Sequence, residues 1–380
     1  MREGWEYKKL GELVQVLNGY AFKSSLYENQ GIRVLRITNV QKGNIVDDDP
    51  KYYPLSLTDE IRNYLLKESD LLMSLTGNVG RVGLLTKDML PAALNQRVAC
   101  LRILSNSLNL GFLFHYLNSD KFEQDAVLSA KGIAQKNMST EWLKDYKLPL
   151  PPISVQQSIV SEIDKINELI RLKKDQLKDY DNLAQSIFYE MFGDEKYERR
   201  KLKNIVKVKS GQVSPLEDPY CDMVHVGPAN IESNTGRLIN LKTAKEENLI
   251  SGKYLFDSSM VLYSKIRPNL NKVTIADFEG ICSADMYPLI PSKSIDKKFL
   301  LFILKQKEFL SYAIANSGRA NIPKINREAL LEYSTILPPL SLQLQFAERL
   351  ALIEQQKAEI QNTIADLETL LASRMQYWFD

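Results

Sequence analysis

The stretch PPISVQQSIVSEIDKINELI (151–170) returns as PPLSLQLQFAERLALIEQQK (338–357). A constant offset of 187 sets Pro151-Pro152 on Pro338-Pro339, Ser154 on Ser341 and Gln156 on Gln343. The same offset then pairs Leu177 with Ile364, Leu183 with Leu370, Ser186 with Ser373 and Phe192 with Phe379. An ungapped match over roughly 40 residues is the mark of an internal duplication. Upstream, similarity is weaker but keeps its order. KKLGELVQVLNG (8–19) resembles RKLKNIVKVKSG (200–211), RITNV (36–40) resembles GPANI (227–231), and QKNMSTEWL (135–143) resembles IPKINREAL (322–330). The chain therefore reads as globular unit, helix, globular unit, helix.

Both repeated segments carry an apolar 4–3 spacing. In the first it runs Ile159, Ile163, Ile166, Ile170, Leu177, Tyr180, Ala184, Ile187 and Met191, interrupted by Lys173. In the second it runs Phe346, Leu350, Ile353, Ile360, Ile364, Leu367, Leu371 and Trp378, interrupted by Lys357 and Arg374. More than four heptads of such a seam predict a coiled coil, with polar seam positions fixing register. At ~1.5 Å per residue each helix is about 57 Å long, more than a small domain's width. The second helix must run back along the first if the seams pair, so an antiparallel arrangement with a pseudo-two-fold repeat is expected. Ser154 and Ser341, just after the proline pairs, are the expected N-caps.

Charge follows the repeat. Residues 155–192 and 342–380 carry net charges of −2 and −3, whereas 1–154 and 193–341 carry +2 and +5. The overall +2 thus conceals acidic helices and basic globular units, which favours nucleic acid as the units' partner. No run of 18 apolar residues predicts a membrane span. The opening residues do not read as a signal peptide, and Cys100, Cys221 and Cys282 match no metal or redox spacing, so a cytoplasmic location with reduced thiols is expected.

Each globular unit begins with strand signals and ends with helical ones. IRVLRITNV (32–40), DLLMSL (70–75) and RVACLRIL (97–104) have counterparts in MVHVGPANI (223–231), SMVLYSKI (259–266) and KVTIADF (272–278). Helical segments follow at 109–128 and 296–315. The expected fold class is α+β: two similar mixed α/β globular domains separated by two long helices. Between strands lie polar loops, LTGNVGRVG (75–83), LNQRV (94–98) and SAKGIAQKN (129–137), then SKIRPNLNK (264–272) and NSGRANIPK (316–324). Their Arg, Lys, Asn and Gln side chains suit base edges and phosphates. The candidates for DNA binding are Arg81, Gln96, Arg97, Gln135, Lys136 and Asn137 in the first unit. In the second they are Lys265, Arg267, Asn269, Asn271, Arg319 and Lys324.

Catalytic constellations are not legible. Two histidines, His115 and His225, are a meagre supply for acid–base or metal chemistry, and His115 in an apolar helix reads as a core residue. TGNVGRVG has neither dinucleotide nor phosphate-loop spacing. EDPYCD (217–222) and DDDPKYY (47–53) read as turns. LPPI and LPPL lack the Asn or Asp that an adenine methyltransferase places before a proline pair.

The opening motif around Trp5–Leu13 and its echo at Arg199–Ile205, the blocks GIAQKNMSTEWLKDYKLPLPP (132–152) and GRANIPKINREALLEYSTILPP (318–339), and the two helices after them resemble the specificity (S) subunits of type I restriction–modification systems. The resemblance implies target recognition domains at 1–152 and 195–339 and spacer helices at 153–194 and 340–380. It implies that each domain reads half of a bipartite double-stranded DNA target while the helices set the gap. It further implies no catalysis and no cofactor in this chain. Two modification (methyltransferase) subunits would supply S-adenosylmethionine, and two restriction subunits the ATP- and Mg-dependent motor and nuclease. The alternatives are the specificity component of a fused restriction–methyltransferase system and a coiled-coil scaffold that never touches DNA. The second unit departs from the first in having IPK for QKN and SKIRPNLNK for the glycine loop, as expected of domains that read different bases.

Overall fold

The computed structural model describes residues 4–130, 137–193, 197–318 and 321–380. It divides into two compact units, one of residues 1–175 with 361–380 and one of residues 176–360.

In the first unit the strand Glu6–Lys9 pairs antiparallel with Lys147–Leu150. A four-stranded antiparallel sheet follows, in the order Val14–Asn18, Val98–Ile103, Leu71–Ser74, Val82–Leu84. Three further strands, Tyr52–Tyr53, Ile32–Leu35 and Ala92–Leu94, form a mixed sheet whose last pair is parallel. Helices Leu110–Leu117, Asp120–Ser129 and Thr140–Asp145 are capped by Asn109, Ser119 and Ser139, whose side chains accept backbone N–H bonds. The expected helical segment 109–128 is thus two helices, divided where Asn118 and Ser119 favour capping over continuation.

The second unit repeats this plan. Arg199–Lys201 pairs with Ser334–Ile336, and the four-stranded sheet has the order Val206–Val208, Met286–Pro291, Val261–Ser264, Val273–Thr274. A five-stranded sheet containing Val224–Val226 and Gly280–Cys282 lies where the first unit has three strands. Helices Lys297–Lys305 and Lys307–Ala315 replace the expected single segment 296–315.

The two long helices are continuous, Ile153–Phe192 and Leu340–Phe379. Within the first unit the early part of one pairs antiparallel with the late part of the other. Glu162 meets Arg374 and Trp378, and Lys174 reaches Glu368 at 2.8 Å. Within the second unit Asp181 meets Lys357 at 2.8 Å, and Phe188 and Phe192 pack on Phe346. The 4–3 positions form the inner face: Ile159, Ile163, Ile166, Ile170, Ile353, Ile360 and Ile364 are buried, and Leu177, Ile187, Leu350, Leu367 and Leu371 are half-buried. Of the three seam cations, Lys357 and Arg374 find acids on the opposite helix.

Neither long helix is N-capped by serine. Ser154 and Ser341 lie inside the first turn, and the carbonyls of Pro152 and Pro339 accept the first helical N–H bonds. Proline lacks an N–H and has φ preset near the helical value, so it starts a helix without a side-chain cap. What anchors each start is a glutamine. Fully buried Gln156 donates Nε2–H to the carbonyls of Ser107 and Pro151, both at 2.8 Å, and accepts from the Asn109 N–H at 2.8 Å. Gln343 makes the same three bonds to Ser294, Pro338 and Asp296 at 3.0, 2.8 and 2.9 Å. Every partner is displaced by 187. The cores repeat as well. Phe379 stands edge-on to Phe112 at 5.8 Å, and Phe192 to Phe299 at 5.3 Å.

Candidate nucleic-acid interface

The described parts of the polar loops meet at one end of the two central strands of the four-stranded sheet in each unit, on a shared backbone frame. In the first unit, Ser74 N–H donates to the Arg81 carbonyl (2.9 Å), Leu75 N–H to Arg97 (3.0 Å) and Met138 N–H to Leu75 (2.9 Å). Asn95 Oδ1 accepts from the Arg97 N–H at 3.2 Å, and Thr76 bridges to Asn137. In the second unit, Ser264 N–H donates to Lys272, Lys265 N–H to Asp285 and Ile325 N–H to Lys265, each at 3.0 Å. Ser283 Oγ accepts from the Asp285 N–H at 3.1 Å, and Ile266 bridges to Lys324. The frame therefore sets Arg81 against Lys272, Arg97 against Asp285, and Asn137 against Lys324.

In the first unit the frame encloses a cleft of about 400 Å³ lined by Leu75, Thr76, Gln96, Arg97 and Asn137. Gln96 and Arg97 are exposed, and their side chains make no hydrogen bond or ion pair among the described residues. Asn137 Oδ1 accepts from Thr76 Oγ1 at 3.2 Å. Three of the expected residues thus converge. Arg81 is half-buried, and its guanidinium is held by Gln41 Oε1 at 2.7 Å. Gln135 and Lys136 lie outside the described residues.

In the second unit Arg267, Asn269 and Lys324 are exposed. The Arg267 N–H donates to the Pro323 carbonyl at 2.7 Å, which brings its loop beside Lys324. Lys265 is half-buried, its ammonium 2.6 Å from the Ala284 carbonyl and 3.6 Å from the Asp285 carboxylate. Asn271 is a structural residue, 8% exposed, with its amide on the Lys305 carbonyl at 3.3 Å. It occupies a left-handed conformation (φ 48°), as does Gly80 (φ 82°) at the equivalent place. The glycine loop and its replacement thus keep one left-handed turn with different side chains, since asparagine tolerates that region better than most residues. Arg319 lies outside the described residues.

Asp285 and Thr76 were not singled out from sequence. Acidic and hydroxyl side chains carry no base-reading signature alone, and local offsets of 187 to 191 hide the pairing of Arg97 with Asp285 until the strands fix it. The histidines are engaged elsewhere. His115 is 5% exposed and donates Nε2–H to Asp164 at 2.7 Å, while burial pushes its pKa below the ordinary value despite that carboxylate. His225 donates Nδ1–H to Glu247 at 2.7 Å, with burial again lowering its pKa. No helix among the described residues is long and apolar enough to cross a membrane.

Residues 2–179 and 194–369 each match the family described as the type I restriction modification DNA specificity domain. One relative is the type I restriction enzyme EcoDI specificity subunit of Escherichia coli, 34% identical over 177 residues, which are 46% of this chain and 39% of that protein. Such matches span under half the length of these curated relatives. Among solved structures, a chain from work on complex assembly and conformational transition of the type I R-M system aligns over 100% of this chain and 98% of its own, with TM-score 0.59 and 18% identity. The S subunit of a type I system from M. genitalium aligns over 99% and 96%, with TM-score 0.57 and 14% identity. These two share the fold. With both halves of the sequence matched and the duplicated architecture in place, the chain belongs to the type I restriction modification DNA specificity domain family.

Proposed function

We propose that this chain is the DNA-reading component of a type I restriction–modification assembly. Each unit reads one half of a bipartite, asymmetric duplex target, and the paired long helices set the unread gap. The chain contributes no catalytic group. Two modification subunits dock on its duplicated surfaces and bring S-adenosylmethionine for adenine methylation, and two restriction subunits bring the ATP- and Mg-dependent motor and nuclease. In a cell the assembly works in the cytoplasm.

The observation that carries this reading is the repeated loop frame. Identical backbone bonds present different polar side chains, as two readers of different sequences require, and most of the exposed ones lack partners among the described residues. Phosphate contacts would supply affinity and base-edge contacts specificity. The test is to map methylated adenines in the DNA of cells carrying this chain with its partner subunits. A two-part motif with a fixed spacer is expected. A chain that assembles with partner proteins yet leaves no such motif is a scaffold, and the reading is then wrong.

A further inference from the structure

The backbone relations shared by the two loop frames identify one position where the units carry opposite charge. Arg97 in the first unit and Asp285 in the second both donate their N–H to the side chain two residues earlier, and both offer their carbonyl to the strand beside them. The neighbouring position changes in concert. Leu75 becomes Lys265, whose ammonium stands 3.6 Å from the Asp285 carboxylate. Arg97 lines its cleft, exposed and without a partner among the described residues. Asp285 is half exposed, 50% of its side chain being open to solvent.

An acid at this place is unfavourable toward a phosphate backbone. Two circumstances reconcile it with duplex binding. Lys265 offsets its charge, and the only base edge in the major groove that solely donates is the cytosine N4 amine, which a carboxylate accepts. Arginine's paired donors fit the O6 and N7 acceptors of guanine. We propose that Arg97 and Asp285 are paired specificity-determining residues: Arg97 demands a guanine at one position of the first half-site, and Asp285, with Lys265 beside it, a cytosine at one position of the second. This rests on the DNA-reading function proposed above.

The test uses the full chain with its partner subunits in cells and reads the methylation motif of Arg97→Ala and Asp285→Ala. Each variant should relax a single specified position, a G in one half of the motif for Arg97→Ala and a C in the other half for Asp285→Ala. The opposite half and the spacer should remain as in the parent. Discrimination at the affected position should fall roughly 5- to 150-fold, the span expected of one base-edge contact. Thermal unfolding of the purified chains checks that both variants fold. Should either truncation fail to fold, Arg97→Lys and Asp285→Asn serve in its place and should relax the same positions. Parental motifs in folded variants, relaxation in the same half for both, or relaxation at an A or T overturns the proposal. So does uniform loss of methylation without a change of motif, which identifies a phosphate contact instead. If the parent chain itself yields no bipartite motif, the functional reading fails and this inference goes with it.

Discussion

Arg267 shows how a residue's conformation and its chemistry separate. Its φ of 48° lies in the left-handed region, where a Cβ crowds the following carbonyl at a cost of about 1–2 kcal/mol. Nothing in its side-chain environment repays this, because the guanidinium is exposed and unpartnered among the described residues. Backbone strain at an unpartnered cation points to a role outside the folded chain. Replacing Arg267 with glycine removes the steric conflict and adds conformational entropy to the unfolded state, two effects of similar size and opposite sign. Arg267→Gly should therefore keep its urea midpoint near the parent value. The same variant should bind all duplex sequences more weakly, with the slope of log affinity against log salt shallower by about one. Equilibrium unfolding together with a salt titration of DNA binding checks both halves. An unchanged salt slope would remove Arg267 from the interface.

At the scale of the element, the long helices are held in register by charges placed on an otherwise apolar seam. Arg374 occupies a seam position, and its guanidinium bonds Glu162, which also accepts from Trp378 Nε1–H at 3.0 Å. Lys357 is similarly half-buried. Burial alone would lower its pKa, but Asp181 at 2.8 Å and Glu354 at 3.1 Å raise it above the ordinary lysine value. An acid opposite each cation penalises any slip of the helices, because a shifted register strands a charge against isoleucine. Arg374→Glu should lower the denaturant midpoint by placing two acids together, and adding Glu162→Arg should restore most of the loss. Simple additivity in this double-mutant cycle would mean that the two residues do not interact. The seam itself was legible in the sequence, since the spacing of Ile159, Ile163, Ile166 and Ile170 admits one helical face. The helix starts differ from the local expectation. Ser154 has the chemistry of a cap, but the preceding proline already supplies the geometry, and Gln156 ties the turn to residues 47 and 49 positions earlier in the chain. Contacts of that kind have no local signature. The candidate interface is legible in residue type rather than in role. Gln96 and Arg97 do line a cleft, whereas Asn271, chosen for the same chemistry, holds a turn from inside.

At the scale of the whole chain, the duplication makes a quantitative expectation possible. Each long helix contributes residues to both compact units, the first dividing after Asp175 and the second after Ile360. Within the first unit Lys174 contacts Glu368, and within the second Asp181 contacts Lys357, so the helix pairing is antiparallel in each. Adding seven residues after Asp175 and seven after Ile360, chosen to continue the 4–3 spacing, preserves the apolar face and the phase of every downstream contact. Each helix lengthens by about 10.5 Å, at 1.5 Å per residue. Along duplex DNA that length is about three base pairs. If the helices set the gap, the methylation motif of the lengthened chain should keep both half-sites and gain a spacer longer by about three base pairs. An insertion of seven in one helix alone mismatches the pair and should abolish methylation. A lengthened chain that still methylates with the parental spacer would show that the gap is set by something other than the helices. A lengthened chain with altered half-sites would show that the loop frames depend on the helices for their shape.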